Sequence, residues 1–387
     1  MNIYDVYSFF PVAPVRGQGS YVYDAKGQKY LDFYGGHAVI SIGHSHPHYV
    51  KTLSEQLQQI GFYSNSVENP LQIELADKLE AAAGISGYDI FYINSGAEAN
   101  DNALKLASFY NGRSKVIALE NSFHGRTSAA INVTHTGIKH QAPINHGVEA
   151  TYLHYQDTEG IINEIKKGDA AAIIIEAIQG VGGLDDISAE SLVAIRAACD
   201  GTDTIMIMDE VQSGYGRSGH FFAYQIADIK PDIITTAKGM GNGFPIASVL
   251  IDSDKIPAAK GRLGTTYGGN YLACAAGIAV LDVIKSDKLV ENAQRCGARL
   301  VEILKNIPAV KNIKGRGLMV GAEFDFPVAA MRKSMVLDHF LFTGSSVNPN
   351  LLRILPPLNI NAGHLEEFEQ KLTKAVNLHP SHTQISR

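Results

Sequence analysis

A lysine placed between an apolar run and a glycine-rich turn can become a nucleophilic amine. Lys238 stands there, in Thr235-Thr236-Ala237-Lys238-Gly239-Met240-Gly241-Asn242-Gly243-Phe244-Pro245. Withdrawing its ammonium from water lowers the pKa and frees a lone pair for attack on a carbonyl. A surface lysine in a turn is the plainer alternative. Four other clusters also follow apolar runs. Asn94-Ser95-Gly96-Ala97 opens a helical pattern, and small residues at a helix start present free N–H groups and the positive dipole end to a phosphate. Ser95 acting as an ordinary N-cap would give the same pattern. Phe123-His124-Gly125-Arg126-Thr127 could stack on a flat ring and hold a carboxylate, or be a surface turn with a core phenylalanine. Ala170–Glu176 reads as a buried strand ending in a carboxylate, before the loop Gln179-Gly180-Val181-Gly182-Gly183. A buried acid needs a partner. Thr204–Met208 runs into Asp209-Glu210-Val211-Gln212, where an acid could pair with a protonated ring nitrogen, bind a metal, or be structural.

Ligands of open α/β sheets gather beyond the carboxyl ends of the strands, so the next question is which elements place these clusters. Ile90–Ile93, Val116–Leu119, Ala171–Glu176, Thr204–Met208 and Ile246–Ile251 are apolar without alternation, as strands covered on both faces are. Pro70–Ala83 and Ala97–Tyr110 read as helices. The alternation predicts a large α/β domain over residues 50–255, with a mostly parallel central sheet. Tyr21–Phe33 reads as a hairpin turning at Ala25–Gln28. Beyond residue 256 the pattern changes to helices at Tyr271–Ile284 and Asp287–Leu304, a strand at Leu318–Phe324 and a helix near His364–Val376. This predicts a smaller α+β domain from residues 256–387, completed by 1–49.

The chain has 387 residues, 45% hydrophobic and 19% charged, with a formal charge of −6. That is a globular balance with room for a large core, and it argues against a nucleic-acid partner. No apolar run reaches the roughly 18 residues of a membrane span. The first residues lack the pattern of a secretory signal, and Cys199, Cys274 and Cys296 are scattered, so a cytoplasmic protein with reduced thiols is expected. His44, His46 and His48 alternate like ligands, but no cysteine or glutamate joins them at metal-site spacing, so no metal is expected.

Taken together, these clusters resemble the class III (ω-amino-acid) aminotransferases of fold type I, and within them the acetylornithine/succinylornithine branch. The resemblance runs from Gly35-Gly36 and Gly43-His44-Ser45-His46-Pro47 to Arg353, with Asp209–Gly219 followed by Lys238 as its most specific part. It implies pyridoxal 5′-phosphate (PLP) as cofactor. Lys238 would be the Schiff-base lysine and proton shuttle, Asp209 the partner of the ring nitrogen, Gln212 the neighbour of the ring hydroxyl and Phe123 the stacking ring. Ser95, Gly96 and Ala97 would hold the phosphate. Thr266 would reach the site of a neighbouring subunit, so a homodimer is implied. Arg353 would grip the α-carboxylate of 2-oxoglutarate and Arg126 a second carboxylate. The implied reaction moves an amino group between glutamate/2-oxoglutarate and the distal amine of an N-acylornithine, acetyl or succinyl, in arginine biosynthesis. Other class III enzymes acting on ω-amino acids, ornithine or diamines are the alternative, with a non-catalytic regulator of the same fold behind them. The chain departs from the family twice. Val181 stands where members carry a glutamate that shields the arginine matching Arg353. His37 stands where ornithine aminotransferases carry a tyrosine, and it reads either as an acyl-group contact or as a satisfied loop histidine.

Overall fold

A computed structural model of the chain describes residues 1–379, with the backbone alone for 138 and 139. Its centre is a seven-stranded sheet in the order Asp89–Ile93, Ala247–Ile251, Ile233–Thr236, Ile205–Asp209, Ala170–Ile175, Lys115–Leu119, Ala150–Leu153. Ala247–Ile251 is antiparallel to both neighbours, and the remaining pairs are parallel. Six strands therefore point the same way.

The uninterrupted apolar runs have the expected consequence. Along neighbouring strands, Ile117, Leu119, Ile173, Ile175, Met206 and Met208 enter one core. Val116, Ala118, Ala172, Ile174, Ile205 and Ile207 enter another on the opposite face. Both faces are covered, so each strand needs apolar residues at every position. Helix Gly96–Asn111 closes the second face with Ala99, Ala103, Leu104 and Ala107. Its start is fixed by Ser95, whose hydroxyl accepts from the Glu98 N–H, and its end by Gly112 in the left-handed region. Helix Pro70–Ala83 is bounded in the same way by Asn69 and Gly84.

Two smaller sheets flank this core. One joins Pro14–Gln18, Tyr21–Asp24 and Lys29–Asp32 to Leu341–Phe342, so the N-terminal segment pairs with the C-terminal third. Its hairpin turns on Asp24, whose carboxylate accepts from the N–H groups of Lys26 and Gln28 at 2.9 Å each, with Gly27 at φ +81°. The other orders Val310–Arg316, Met319–Phe324, Leu351–Ile354 and Gly344–Ser345. Helix Pro47–Gln59 crosses residue 50 and packs on Tyr271–Ser286.

Arg217 ties these parts together. It is buried, and its guanidinium donates to the carbonyls of Leu318 (3.2 Å), Ile40 (3.4 Å) and Pro356. Burial pushes its pKa down to about 9. Arg217→Met would strand buried carbonyls from three segments. A loss of about 3 kcal/mol is expected in urea unfolding, since each orphaned group costs roughly 1–3 kcal/mol.

Candidate active site

Because the strands are parallel, their carboxyl ends lie on one edge, and the sequence clusters meet there. A cavity of about 390 Å³ is lined by Ser95, Gly96 and Ala97 from the start of a helix, Phe123 and Arg126 from the turn after Lys115–Leu119, Glu176 and Val181 after Ala170–Ile175, Asp209 and Gln212, and Lys238. Two predicted residues do not line it. Arg353 is buried in the wall behind, in strand Leu351–Ile354, and Thr266 is exposed on the loop before helix Tyr271–Ser286.

Lys238 follows the end of Ile233–Thr236 and opens a short turn, Lys238–Met240, with its own φ at +43°. Desolvation lowers its pKa; the negative charges of Asp209 and Glu176 oppose that shift, and Arg353 adds to it. Asp209 ends its strand with 3% exposure. Its Oδ2 accepts from His124 Nδ1 at 2.7 Å and Asn100 Nδ2 at 2.8 Å, and its Oδ1 from the Val211 N–H at 3.0 Å. Thr235 donates to Asn100 Oδ1 at 2.7 Å and so fixes which way that amide points. His124 and Asn100 each lie inside a motif read from the sequence, His124 beside Phe123 and Asn100 at the end of Asn94-Ser95-Gly96-Ala97-Glu98-Ala99-Asn100, but neither has a role there. Both became visible only through the carboxylate they hold.

Glu176 finds the partners that a buried acid needs. Its two oxygens accept from the N–H groups of Phe123 (2.8 Å) and Gly180 (2.9 Å), so one carboxylate pins the aromatic turn and the glycine loop. Burial raises its pKa, with the nearby His124 opposing. Gly96 and Gly180 are glycines for reasons of space. A Cβ would stand 2.6 Å from Val211 Cγ1 at the first and 2.2 Å from Gln212 Oε1 at the second.

Val181 leaves Arg353 without an acid, and neutral groups take its place. The guanidinium donates to the Gly180 carbonyl (2.6 Å), the Ser345 carbonyl (2.5 Å) and Gln212 Oε1 (3.5 Å), and it faces the Tyr34 hydroxyl. Among the described residues no carboxylate pairs with it. Its pKa is lowered first by burial, then raised by Tyr34 and lowered by Arg332.

His37 belongs to an unusual turn. Gly35, Gly36, His37 and Ala38 all have φ between 53° and 67°, a left-handed run that disfavours side chains. Gln212 Nε2 donates to the His37 carbonyl at 3.2 Å, and the Tyr34 hydroxyl bonds its Nδ1. The ring is open to solvent on one side. Partial desolvation of the ring, followed by the positive charges of Arg353, Lys238 and Arg332, pushes its pKa down to about 4. The nearby histidines do not converge on one point. His44, His46 and His48 face three different acids, Asp32 (2.8 Å), Asp287 (3.9 Å) and Asp282 (3.2 Å).

A lysine with a lowered pKa, a buried aspartate, a helix start with only small side chains and a half-buried phenylalanine share one cavity. That set matches a phosphorylated, protonated aromatic aldehyde. The family description "Aminotransferase class-III" matches residues 4–376. The chain belongs to the class III aminotransferases. Its cofactor is pyridoxal 5′-phosphate, and its fold is fold type I. Among curated members, the acetylornithine aminotransferase of Caldanaerobacter subterraneus subsp. tengcongensis is 39% identical, over 95% of each chain. That of Bacillus subtilis is 38% identical, over 98% of each. Among solved structures, the ornithine aminotransferase of Toxoplasma gondii ME49 superposes with a TM-score of 0.89 at 27% identity, covering 98% of this chain and 93% of that one. In this aminotransferase no helix among the described residues is long and apolar enough to cross a membrane.

Proposed function

We propose that this aminotransferase exchanges an amino group between glutamate/2-oxoglutarate and the distal amine of an N-acylornithine, in arginine biosynthesis. The observation that carries this reading is an unshielded Arg353 behind a cavity that also holds Arg126 and Lys238. Glutamate is a dicarboxylate and needs two cations, and a forked guanidinium grips a carboxylate through paired hydrogen bonds. The substrate class follows the relatives described above, which are acetylornithine aminotransferases. The solved ornithine aminotransferases are more distant in sequence. Free ornithine is therefore the second reading.

Bound PLP supplies a carbonyl for the amino group and a ring that absorbs the electron pair left on the substrate carbon. The chain does the rest. Lys238 presents an amine whose lowered pKa suits both attack on a carbonyl and proton transfer at the substrate carbon. Asp209 would keep the ring nitrogen protonated, with Gln212 as the neighbour of the ring hydroxyl and Phe123 as the stacking ring. Ser95, Gly96 and Ala97 would hold the phosphate through the helix start. We assign Thr266 to the phosphate of a neighbouring subunit's site, which makes the working form a homodimer. Thr266 is exposed and stands outside its own chain's cavity, as a residue acting across an interface must. We further place the chain in the cytoplasm and divide it into residues 50–255 and 1–49 plus 256–387.

Initial rates with 2-oxoglutarate as acceptor and N-acetylornithine, N-succinylornithine or ornithine as amino donor test the substrate reading. Turnover of an N-acylated substrate at least tenfold above ornithine is expected, and the opposite order would overturn it. Val181→Glu tests the unshielded arginine. An acid one residue from the Gly180 carbonyl would pair with Arg353 and compete with substrate, so KM for 2-oxoglutarate should rise roughly tenfold, about 1.4 kcal/mol.

A further inference from the structure

The cavity accounts for Lys238, Asp209, Arg126 and Arg353. It leaves a further cation unexplained. Arg332 lies on helix Ala329–Leu337, and its Nε donates to the Thr343 carbonyl at 2.8 Å. The same extended segment holds Arg353, whose Nε donates to the Ser345 carbonyl, and Gly344 pairs with Arg353 across the small sheet. Two guanidiniums thus hang from carbonyls two residues apart, roughly 7 Å along an extended chain. The Arg332 guanidinium lies over the rings of Phe10 and Tyr34, with Cζ 5.2 Å and 6.0 Å from their centroids. Its two terminal amino groups make no hydrogen bond among the described residues, and no described carboxylate lies within ion-pair distance.

This is an expensive arrangement to leave empty. A half-buried guanidinium is normally paired, yet here the neighbours are another guanidinium, a phenol and an imidazole. Arg332 and Arg353 each have a lowered pKa, burial first, and Arg353 is lowered further by Arg332. What lies between the two cations is neutral and polar, the hydrogen-bonded Tyr34–His37 pair. Neutral polar groups flanked by two cations suit an amide that carries a carboxylate beyond it.

We propose that Arg332 is a specificity-determining residue, which receives a carboxylate at the far end of the substrate's N-acyl group. This rests on the N-acylornithine reading above and narrows it to acyl groups that end in an acid, such as succinyl, over acetyl. The carbonyls that anchor Arg332 and Arg353 are two residues apart on one extended segment, a spacing of roughly 7 Å that a four-carbon acyl arm spans, so the extra carboxylate meets the free edge of the fork. The guanidinium, flanked by the Phe10 and Tyr34 rings and anchored through Nε, offers its planar edge for a bidentate contact.

The test uses unreactive competitors, so it does not depend on turnover. N-succinylnorvaline and N-acetylnorvaline are the N-acylornithines without the reacting amine. Their inhibition constants against glutamate are measured on the holoenzyme. The succinyl compound is expected to bind at least tenfold more tightly. In Arg332→Gln that ratio should fall to near one, and Arg332→Lys should keep part of it, with thermal melts confirming that both variants fold. A ratio near one in the wild-type enzyme overturns the proposal whatever the variants do. So does a tenfold ratio that survives in Arg332→Gln. Failure of the N-acylornithine reading itself shows separately, as transamination of glutamate with no turnover of either N-acylornithine.

Discussion

Lys238→Ala is expected to lower kcat by at least about 10³-fold, since the residue has two jobs and proton transfer by a positioned side chain is alone worth 10²–10⁴. It supplies the nucleophilic amine, and it stands where a proton must leave one carbon and reach another. Its environment explains why this lysine serves. Desolvation lowers its pKa, while Asp209 and Glu176 keep the shift from running further. The same fact predicts a control. A buried lysine whose folded pKa lies below 10.5 binds its proton less readily when folded, so below the ordinary value its contribution to stability improves as pH rises. Removing it takes away a cost. The melting temperature of the variant without cofactor should therefore hold or rise at neutral pH. Stopped-flow absorbance with glutamate measures the first result and thermal melts measure the second. A variant that melts low and is inactive would show only that the fold had failed. Retained turnover in a well-folded variant would remove Lys238 from the chemistry.

The reason such a lysine could be picked out lies in the order of elements. Its cluster was ambiguous alone, as were the Ser95–Ala97 helix start and the Phe123 turn. Parallel strands covered on both faces are written as unbroken apolar runs, and these were legible at Val116–Leu119, Ala171–Glu176 and Thr204–Met208 to within a residue or two. Once the strands are parallel, everything just past their ends converges. Less legible was Ala150–Leu153, a partly exposed edge strand of four residues whose pattern is not apolar throughout. Least legible were the contacts made by residues of ordinary type. Asn100 looks like any polar residue in a helix, and its role exists only because Asp209 lies 2.8 Å away. The neutral groups around Arg353 were invisible for a similar reason. The sequence shows an acid missing at Val181, but backbone carbonyls have no letter of their own. Tyr34, His37 and Arg332 come together only when the N-terminal sheet meets Leu341–Phe342, an encounter between residues three hundred positions apart.

Asp209→Ala is the second large effect, and its network says how it should fail. Among the described residues, Asp209 is the only carboxylate that His124 and Asn100 hold. Because it can only accept, Nδ1 of His124 carries the proton in that 2.7 Å contact. Three donors therefore converge on Asp209, leaving its charge oriented toward the cavity that it lines. Alanine removes the charge and leaves buried donors without acceptors. Loss of a preset charge at a developing centre costs about 10²–10³ in kcat, and the unpaired donors add a stability loss of roughly 2 kcal/mol. Asparagine separates the two. It keeps the volume but turns one acceptor into a donor that faces His124 and Asn100, so kcat should fall nearly as far while affinity for PLP drops less than in the alanine variant. His124→Gln acts through Asp209 and should cost about tenfold in kcat, with a shift in the pH profile that loss of packing alone would not give. Fluorescence titration with PLP, single-turnover rates with glutamate and pH–rate profiles on these three variants make the comparison. If Asp209→Asn transaminates at the wild-type rate, the ring nitrogen has no need of this carboxylate, and the network around it is structural only.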